Sequence, residues 1–277
     1  MASTQWILDG EGQLCNSNTS AITQALGGFG AWEGNPQPNI IRGLHQRDFQ
    51  ENTIAVRADS GITKMSDLRG KKVFYGHPGT SCNQNMKMAM VALGYDEDIE
   101  EYVGSLGDGV SAMKDRRIDA YVKTSRGEFA DPTHIDIMVT QELEIITFSK
   151  EEVDKIQAVY PLIKYRKFGP DAFTTVAPMR MHGERWLNFD GGPTICEVNL
   201  PEEWAYAWVT HVINNWDVLV PLMTVLGTFD PLDYPALADE FLFTGGLVDY
   251  YLHPGAIRAY RDFGVDVPDS LIPPEMK

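Results

Sequence analysis

The pattern of apolar and polar positions along the chain predicts an α/β fold. Short β-prone apolar runs, bounded by glycine, proline or polar residues, alternate with stretches whose apolar residues recur at helical spacing. The predicted strands cover residues 53–57, 73–75, 118–122, 135–139, 145–148 and 173–177. Because strands alternate with helices, we expect parallel βαβ construction.

One strand–turn–helix unit stands out in this pattern. The apolar run 73–75 is followed by the glycine- and proline-containing segment 76–79, which forces a tight turn. Thr80 or Ser81 is expected to cap the helix that follows, and Gly94 to end it. N–H groups at such a helix start favour an anion, most simply a carboxylate. Turns of this kind are also common in α/β proteins where they bind nothing.

A polar cluster follows the predicted strand 118–122. It contains Lys123, Thr124, Ser125 and Arg126. In an open α/β sheet, polar groups just beyond the carboxyl end of a strand face the ligand crevice. A solvated loop is the alternative interpretation, and the sequence leaves both open.

Three further segments carry local helix signals. Ser149 and Glu152 form a capping box, and His253 precedes a proline at the start of the last helix. A long helix is predicted to begin at Pro201. Its apolar stripe is predicted to be core, and it comprises Trp204, Trp208, Val212 and Trp216.

Composition sets the class of protein and excludes some partners. The chain has 277 residues, of which 43% are hydrophobic, enough for one large or two modest globular domains. Its formal net charge is −16. Nucleic acid and anionic membrane surfaces are therefore not expected partners, and an anionic ligand would need a local site.

No metal or cofactor is expected. The cysteines, Cys15, Cys82 and Cys196, are far apart and form no C-x-x-C pair, so neither a zinc ribbon nor a disulfide framework is predicted. The G-x-G at 28–30 lacks a preceding long strand and a later acidic partner, which argues against a dinucleotide site.

Several segments, taken in order, resemble one family, the TAXI-type solute-binding receptors of tripartite (TRAP) transporters. The matching segments are A-D-S-G-I (58–62), D-L-R-G-K-K-V (67–73), G-H-P-G-T (76–80), R-I-D-A-Y (117–121), Y-P (160–161), T-T-V-A-P (174–178) and L-H-P-G-A-I-R-A-Y-R-D-F-G-V (252–265). The first is shared with other periplasmic binding proteins, and the last is the most specific.

The resemblance implies a two-lobed, periplasmic-binding-protein-like fold of type II. Lobe I would comprise residues 1–58 and 170–277, and lobe II residues 59–169. The lobes would close over a small carboxylate-bearing solute, which the receptor then passes to a pair of membrane permease subunits. By motif position, the ligand-binding residues would be Asn18, Thr19, Gly79, Thr80, Ser81, Cys82, Thr124, Ser125, Arg126 and Phe173.

The chain departs from the family at its start. The family begins with a βα unit ahead of the segment matched by residues 5–19, and we expect this first unit of lobe I to be missing here. A homodimer or a second chain would then complete the lobe. The resemblance implies a periplasmic protein. The written N-terminus lacks a signal peptide, which predicts a cytoplasmic one if that start is native.

Two functions from different classes follow. If the protein is a binding protein, Arg126 would bind a carboxylate in bidentate geometry, with help from the Thr80 and Ser81 hydroxyls and the N–H groups at the helix start. If the protein is instead an enzyme on the same scaffold, it would be a lyase or hydrolase that acts on a small organic anion. Cys82 would then be the nucleophile and His77 its base. Cys82 as a small buried hydrophobe is the alternative to that role.

Overall fold

The computed structural model describes residues 2–126, 128–175, 177–222, 226, 229–243 and 248–277. The α-helices are α1 (Ala2–Leu8), α2 (Thr19–Gly27), α3 (Ser81–Leu93), α4 (Leu106–Lys114), α5 (Pro132–Met138), α6 (Lys150–Val159), α7 (Glu202–Asn214), α8 (Trp216–Leu219), α9 (Tyr234–Leu237) and α10 (Pro254–Asp262). The strands are β1 (Leu14–Asn16), β2 (Ile41–Arg57), β3 (Lys72–Phe74), β4 (Glu100–Glu101), β5 (Ala120–Arg126), β6 (Leu143–Ile146), β7 (Tyr165–Lys167), β8 (Arg180–His182), β9 (Trp186–Glu197) and β10 (Tyr251–Leu252). Within these ranges, no helix has both the length and the apolar character needed to cross a bilayer.

The helices and strands confirm the predicted α/β class. The chain forms two compact units. The first unit comprises Met1–Phe49 and Asp190–Lys277, and the second comprises Gln50–Phe189. The chain passes from one to the other within β2 and again within β9. The predicted lobe boundaries at 58 and 170 stay a prediction.

In the first unit, short strands flank the two long ones. β1 pairs with β9 in antiparallel register, with Cys15 opposite Ile195, and β10 pairs with β2 in parallel.

The last helix begins as predicted. His253 caps α10 by accepting the Gly255 N–H at its Nδ1 (3.2 Å), while its Nε2 lies 2.9 Å from the Leu200 carbonyl oxygen.

The predicted core stripe on α7 is confirmed at Val212, which is buried, and wrong at Trp204 and Trp208. Trp204 and Trp208 are 65% and 43% exposed, whereas Ala205 and Val209 are buried. Helix α10 packs against α7 so closely that a Cβ on Gly255 would lie 2.2 Å from the Glu202 carbonyl oxygen. Only the small side chains of α7 fit that contact, so the tryptophans face outward.

In the second unit, the sheet is mixed rather than purely parallel. β3 pairs in parallel with both β4 and β5, and β6 pairs in parallel with β8. β2 pairs in antiparallel register with β5 and with β6, and β7 with β9. A hydrophobic core that includes Val73, Met86, Val122 and Phe148 fills the unit.

Two predicted strands of the second unit are wrong. Residues 135–139 overlap helix α5, whose start is fixed by Asp131 accepting the Thr133 N–H at 2.9 Å. Pro132 occupies the first helical position, where its missing N–H costs nothing. This local capping outweighs the β-propensity of the isoleucines that follow. The described residues of 173–177 form turns and bends instead of a strand.

The strand predicted to end at residue 122 continues to Arg126. Residues 123–126 pair with β2, from Thr53 opposite Lys123 to Gln50 opposite Arg126. The polar cluster therefore belongs to a strand, and its side chains alternate between the two faces of the sheet.

Candidate functional site

The predicted turn and helix start of the second unit form as expected. Thr80 caps α3, because its Oγ1 accepts the Asn83 N–H at 3.3 Å. The same hydroxyl donates to the His77 carbonyl oxygen at 2.7 Å. Gly79, at φ +82°, makes the turn possible, since that conformation disfavours a side chain. The Thr80 hydroxyl proton is thus used within the turn, and an anion would depend on the backbone N–H groups there.

Cys82 is buried beneath this turn, and its surroundings disfavour a thiolate. Its Sγ lies 3.6 Å from the Tyr75 carbonyl oxygen. Burial raises the pKa of the Cys82 thiol to about 11, although Thr124 and Lys123 act in the opposite direction. His77, its predicted base, is exposed on the turn. These surroundings favour the alternative of a small buried hydrophobe, and the nucleophile role of Cys82 stays a prediction.

Sheet pairing brings the turn beside the polar end of β5. Phe74 lies opposite Tyr121 in the parallel β3–β5 pair, so the two chain segments leave the sheet next to each other. The hydroxyl and N–H of Thr124 face the Cys82 sulfur. Cys82 of one group of predicted ligand residues therefore lies beside Thr124 of the other, within the second unit.

The residues at the end of β5 have different environments. Thr124 Oγ1 donates to Asn52 Oδ1 at 2.8 Å. Ser125 is buried, with its Oγ 3.4 Å from Thr53 Oγ1. Arg126 is exposed and pairs with Gln50 on β2. Arg126 stays a predicted ligand residue.

A buried amide network that the sequence analysis missed supports Thr124. Asn52 Nδ2 and Asn85 Nδ2 both donate to Asn188 Oδ1, the second at 3.3 Å. Asn188 Nδ2 in turn donates to the Lys164 carbonyl oxygen at 2.9 Å. All three asparagines are buried. The only signal in the sequence is an asparagine inside each of two long strands, at 52 and 188.

Phe173, the predicted aromatic wall, belongs to the interior of the second unit. Its side chain is buried, and its ring centroid lies 6.5 Å from that of Phe168. Its φ of +59° is a left-handed conformation that a bulky residue adopts only when its surroundings impose it. The ring therefore supports the chain around it and presents little surface.

In the first unit, the two predicted ligand residues lie at the start of α2. Asn18 is the N-cap residue but makes no capping hydrogen bond, and Thr19 is buried. The carboxylate of Asp190 lies at the helix start, where an anionic ligand would bind. It accepts the Ser20 N–H at 3.0 Å and the Ser20 hydroxyl at 2.5 Å. Burial, with a smaller effect from Asp48, raises the pKa of Asp190 to about 6. This helix start already holds a carboxylate of the protein itself.

Among the described residues, no group of three or more histidine, cysteine, aspartate or glutamate side chains could hold a metal ion.

Several solved structures are similar to this chain at low identity. The periplasmic aliphatic sulphonate binding protein SsuA from Escherichia coli has 12% identity and a TM-score of 0.46 over 82% of this chain and 60% of that chain. A Xanthomonas citri protein bound to ATP has 12% identity and a TM-score of 0.49 over 94% and 79% of the two chains. A Brucella ovis ABC transporter/periplasmic binding protein with glutathione bound has 11% identity and a TM-score of 0.38 over 78% and 52%. This chain thus spans 60% of the length of the E. coli protein.

The sequence itself matches a defined family over most of its length. Residues 2–173 match the NMT1-like family, and this span includes the whole strand–turn–helix unit and the polar end of β5. The more specific TAXI-type resemblance stays a prediction. The chain belongs to the NMT1-like family.

Proposed function

We propose that this protein is a solute-binding receptor for a small organic anion that carries a carboxylate group. One observation supports the proposal: in the second unit, Thr124 of β5 lies beside Cys82 at the start of α3, and the exposed Arg126 ends the same strand two residues later. A helix start and a guanidinium both favour an anion, and we propose that both belong to one site.

The two groups would contact a carboxylate in different ways. The backbone N–H groups of the first turn of α3 would donate to it, helped by the positive end of the helix dipole. Arg126 would donate in bidentate geometry. Thr124, whose proton goes to Asn52, would act as an acceptor and so favour a donor group elsewhere on the solute.

The resemblance to TAXI-type receptors completes the proposal. It suggests that the protein works in the periplasm and passes its solute to a permease pair of a tripartite transporter. By the same resemblance, Asn18 and Thr19 stay predicted ligand residues of the first unit. A homodimer, or a complex with a second chain, is tested by light scattering: a single monomeric mass at all concentrations contradicts it.

Calorimetric titration tests the proposal. The probes are butyrate and succinate, with butanol as the uncharged control. We expect at least one carboxylate to bind and Arg126→Gln to weaken that binding about tenfold, because a charged hydrogen-bond partner is lost. Arg69→Gln is the matched control, since Arg69 is an exposed arginine of the same unit that pairs with Asp98 at 2.6 Å. Absence of binding by any carboxylate would refute the proposal.

A further inference from the structure

Four exposed apolar side chains of the first unit lie along α7, α8 and the turn after α8. We call them the α7–α8 face: Trp204 (65% exposed), Trp208 (43%), Val218 (64%) and Leu222 (76%). Their spacing places them on one side of a helix. Helical hydrogen bonds continue between α7 and α8, from the Asn215 N–H to the His211 carbonyl oxygen and from the Leu219 N–H to the Asn215 carbonyl oxygen, both at 3.1 Å. The four side chains therefore form one apolar face along both helices.

The rest of the first unit holds the α7–α8 face in position. The Trp208 ring stacks on the ring of the buried His45 of β2, with centroids 6.4 Å apart. On α8, Trp216 packs edge-on against Phe229 at 5.3 Å, and Phe229 packs against Phe49 of β2 at 5.2 Å. Side chains that are already ordered lose little entropy when a partner covers them. The face is thus preorganised for docking.

The charges beside the α7–α8 face are acidic. The segment 201–222 contains Glu202, Glu203 and Asp217 and no lysine or arginine. Arg258 of α10 donates to Glu202 and Glu203 at 2.8–2.9 Å, but one guanidinium cannot neutralise both. The whole chain has a net charge of −16. A partner whose own apolar face is flanked by cations complements this surface.

The size of the face fits a single helix better than a second copy of this chain. A fully buried aromatic side chain covers roughly 150–250 Å², so these four partly exposed side chains offer about 500 Å² in all. Each side of a standard protein interface contributes about 800 Å². A symmetric pair of copies would also bring the carboxylates beside the two faces together, and like charges repel.

We propose that the α7–α8 face is a docking surface for a basic amphipathic helix of another protein. The apolar side of that helix would cover Trp204 and Trp208, since tryptophan is among the residues that contribute most at interfaces. Its lysines or arginines would lie beside Glu203 and Asp217. This surface lies on the first unit, and the proposal does not depend on which solute the protein binds.

Fluorescence anisotropy with dye-labelled synthetic peptides tests the docking surface on the full chain. The probe is a leucine–lysine peptide of about 18 residues with all its leucines on one helical face. We expect the wild type to bind it and Trp204→Ser to weaken binding about tenfold, because an anchoring side chain is lost. Trp6→Ser is the matched control: Trp6 is a 43% exposed tryptophan of the same unit outside the face, so its affinity should stay within about twofold of the wild type.

The three proteins have the same net charge, so general attraction of a basic peptide is equal in all of them. A scrambled peptide of the same composition has no apolar face and should bind at least about tenfold more weakly. A thermal unfolding curve of Trp204→Ser like that of the wild type shows that the variant is folded.

Several results would overturn the proposal. It is refuted if the wild type does not bind the peptide, if Trp204→Ser binds it as tightly as the wild type, or if the scrambled peptide binds equally well. A wild type that sediments as a dimer beside a monomeric Trp204→Ser would assign the face to a second copy instead. Binding of the wild type, and not of Trp204→Ser, to neutral phosphatidylcholine vesicles would assign it to a lipid surface.

Discussion

The backbone N–H of Phe173 donates to the carbonyl oxygen of Glu128 at 3.0 Å, and both residues have positive φ, +59° and +66°. Neither is a glycine or an asparagine, the residues that tolerate this conformation best. The hydrogen bond therefore joins two strained positions, one of which, Glu128, comes two residues after Arg126. Strain of this kind persists only where the surrounding structure imposes it, and it concentrates at functional sites.

Replacement of Glu128 by glycine is expected to stabilise the protein. Glu128→Gly relieves the left-handed strain, and we expect the free energy of unfolding in urea to rise by about 1 kcal/mol. The lost Arg166 pair contributes little, because it is exposed and 3.8 Å long. Glu128→Ala is the control, since it removes the same carboxylate but keeps a Cβ at positive φ. Equal stabilities of the two variants would show that the position is not strained.

The thiols are expected to be unreactive in the folded protein. Burial raises the pKa of Cys15 and Cys82 to about 11, and that of Cys196 higher still. Iodoacetamide at pH 8 should therefore label the native protein slowly, and all three cysteines after unfolding in urea. If part of the labelling is fast, repeating the experiment with Cys82→Ala shows whether Cys82 is the cysteine that reacts. A fast phase that disappears in this variant would support Cys82 as a candidate nucleophile.

The amide network predicts a large effect at Asn188 and a small one at Asn85. Asn188→Ala leaves two buried amide donors without their shared acceptor and removes one of the two hydrogen bonds to the Lys164 carbonyl oxygen, which keeps the Phe189 N–H. The free energy of unfolding should therefore fall by about 3 kcal/mol. Asn85→Ala breaks only one of these bonds, and it also removes an Oδ1 that has no partner in the described structure. We expect a loss near 1 kcal/mol. Urea denaturation of both variants checks the order, and similar losses would contradict the network.

Capping signals in the sequence predicted local structure correctly because cap and helix are neighbours in the chain. Thr80 with Gly94, the Ser149 box and His253 all form as expected. Features that depend on distant partners were missed. The end of β5 is set by its pairing with β2, and the outward tryptophans of α7 by the close approach of Gly255.

The residues of the candidate site also divide into those predictable from their neighbours in the chain and those that depend on distant partners. Residues 79–82 and Arg126 could be selected from turn chemistry and motif position, before any tertiary contact was known. The Asn52–Asn188 bond could not, because its two residues are 136 positions apart. Likewise, nothing near Ser20 in the sequence indicates that Asp190 would occupy the start of α2.

Asp190 predicts a pH dependence of stability. Its pKa is about 6 in the folded protein and near the ordinary 3.8 when unfolded, so between these values the folded state binds more protons than the unfolded state. The contribution of this group to the free energy of unfolding therefore falls as the pH rises from 4 to 6, by up to about 3 kcal/mol.

Asp190→Asn cannot titrate and serves as the reference. Urea denaturation at several pH values should show the wild type losing stability relative to this variant across that range. Ser20→Ala removes the 2.5 Å hydroxyl hydrogen bond that favours the charged form of Asp190, so the total loss of stability with pH should be larger than in the wild type. A wild-type-to-variant difference that does not change with pH would show that Asp190 is already ionised throughout the range.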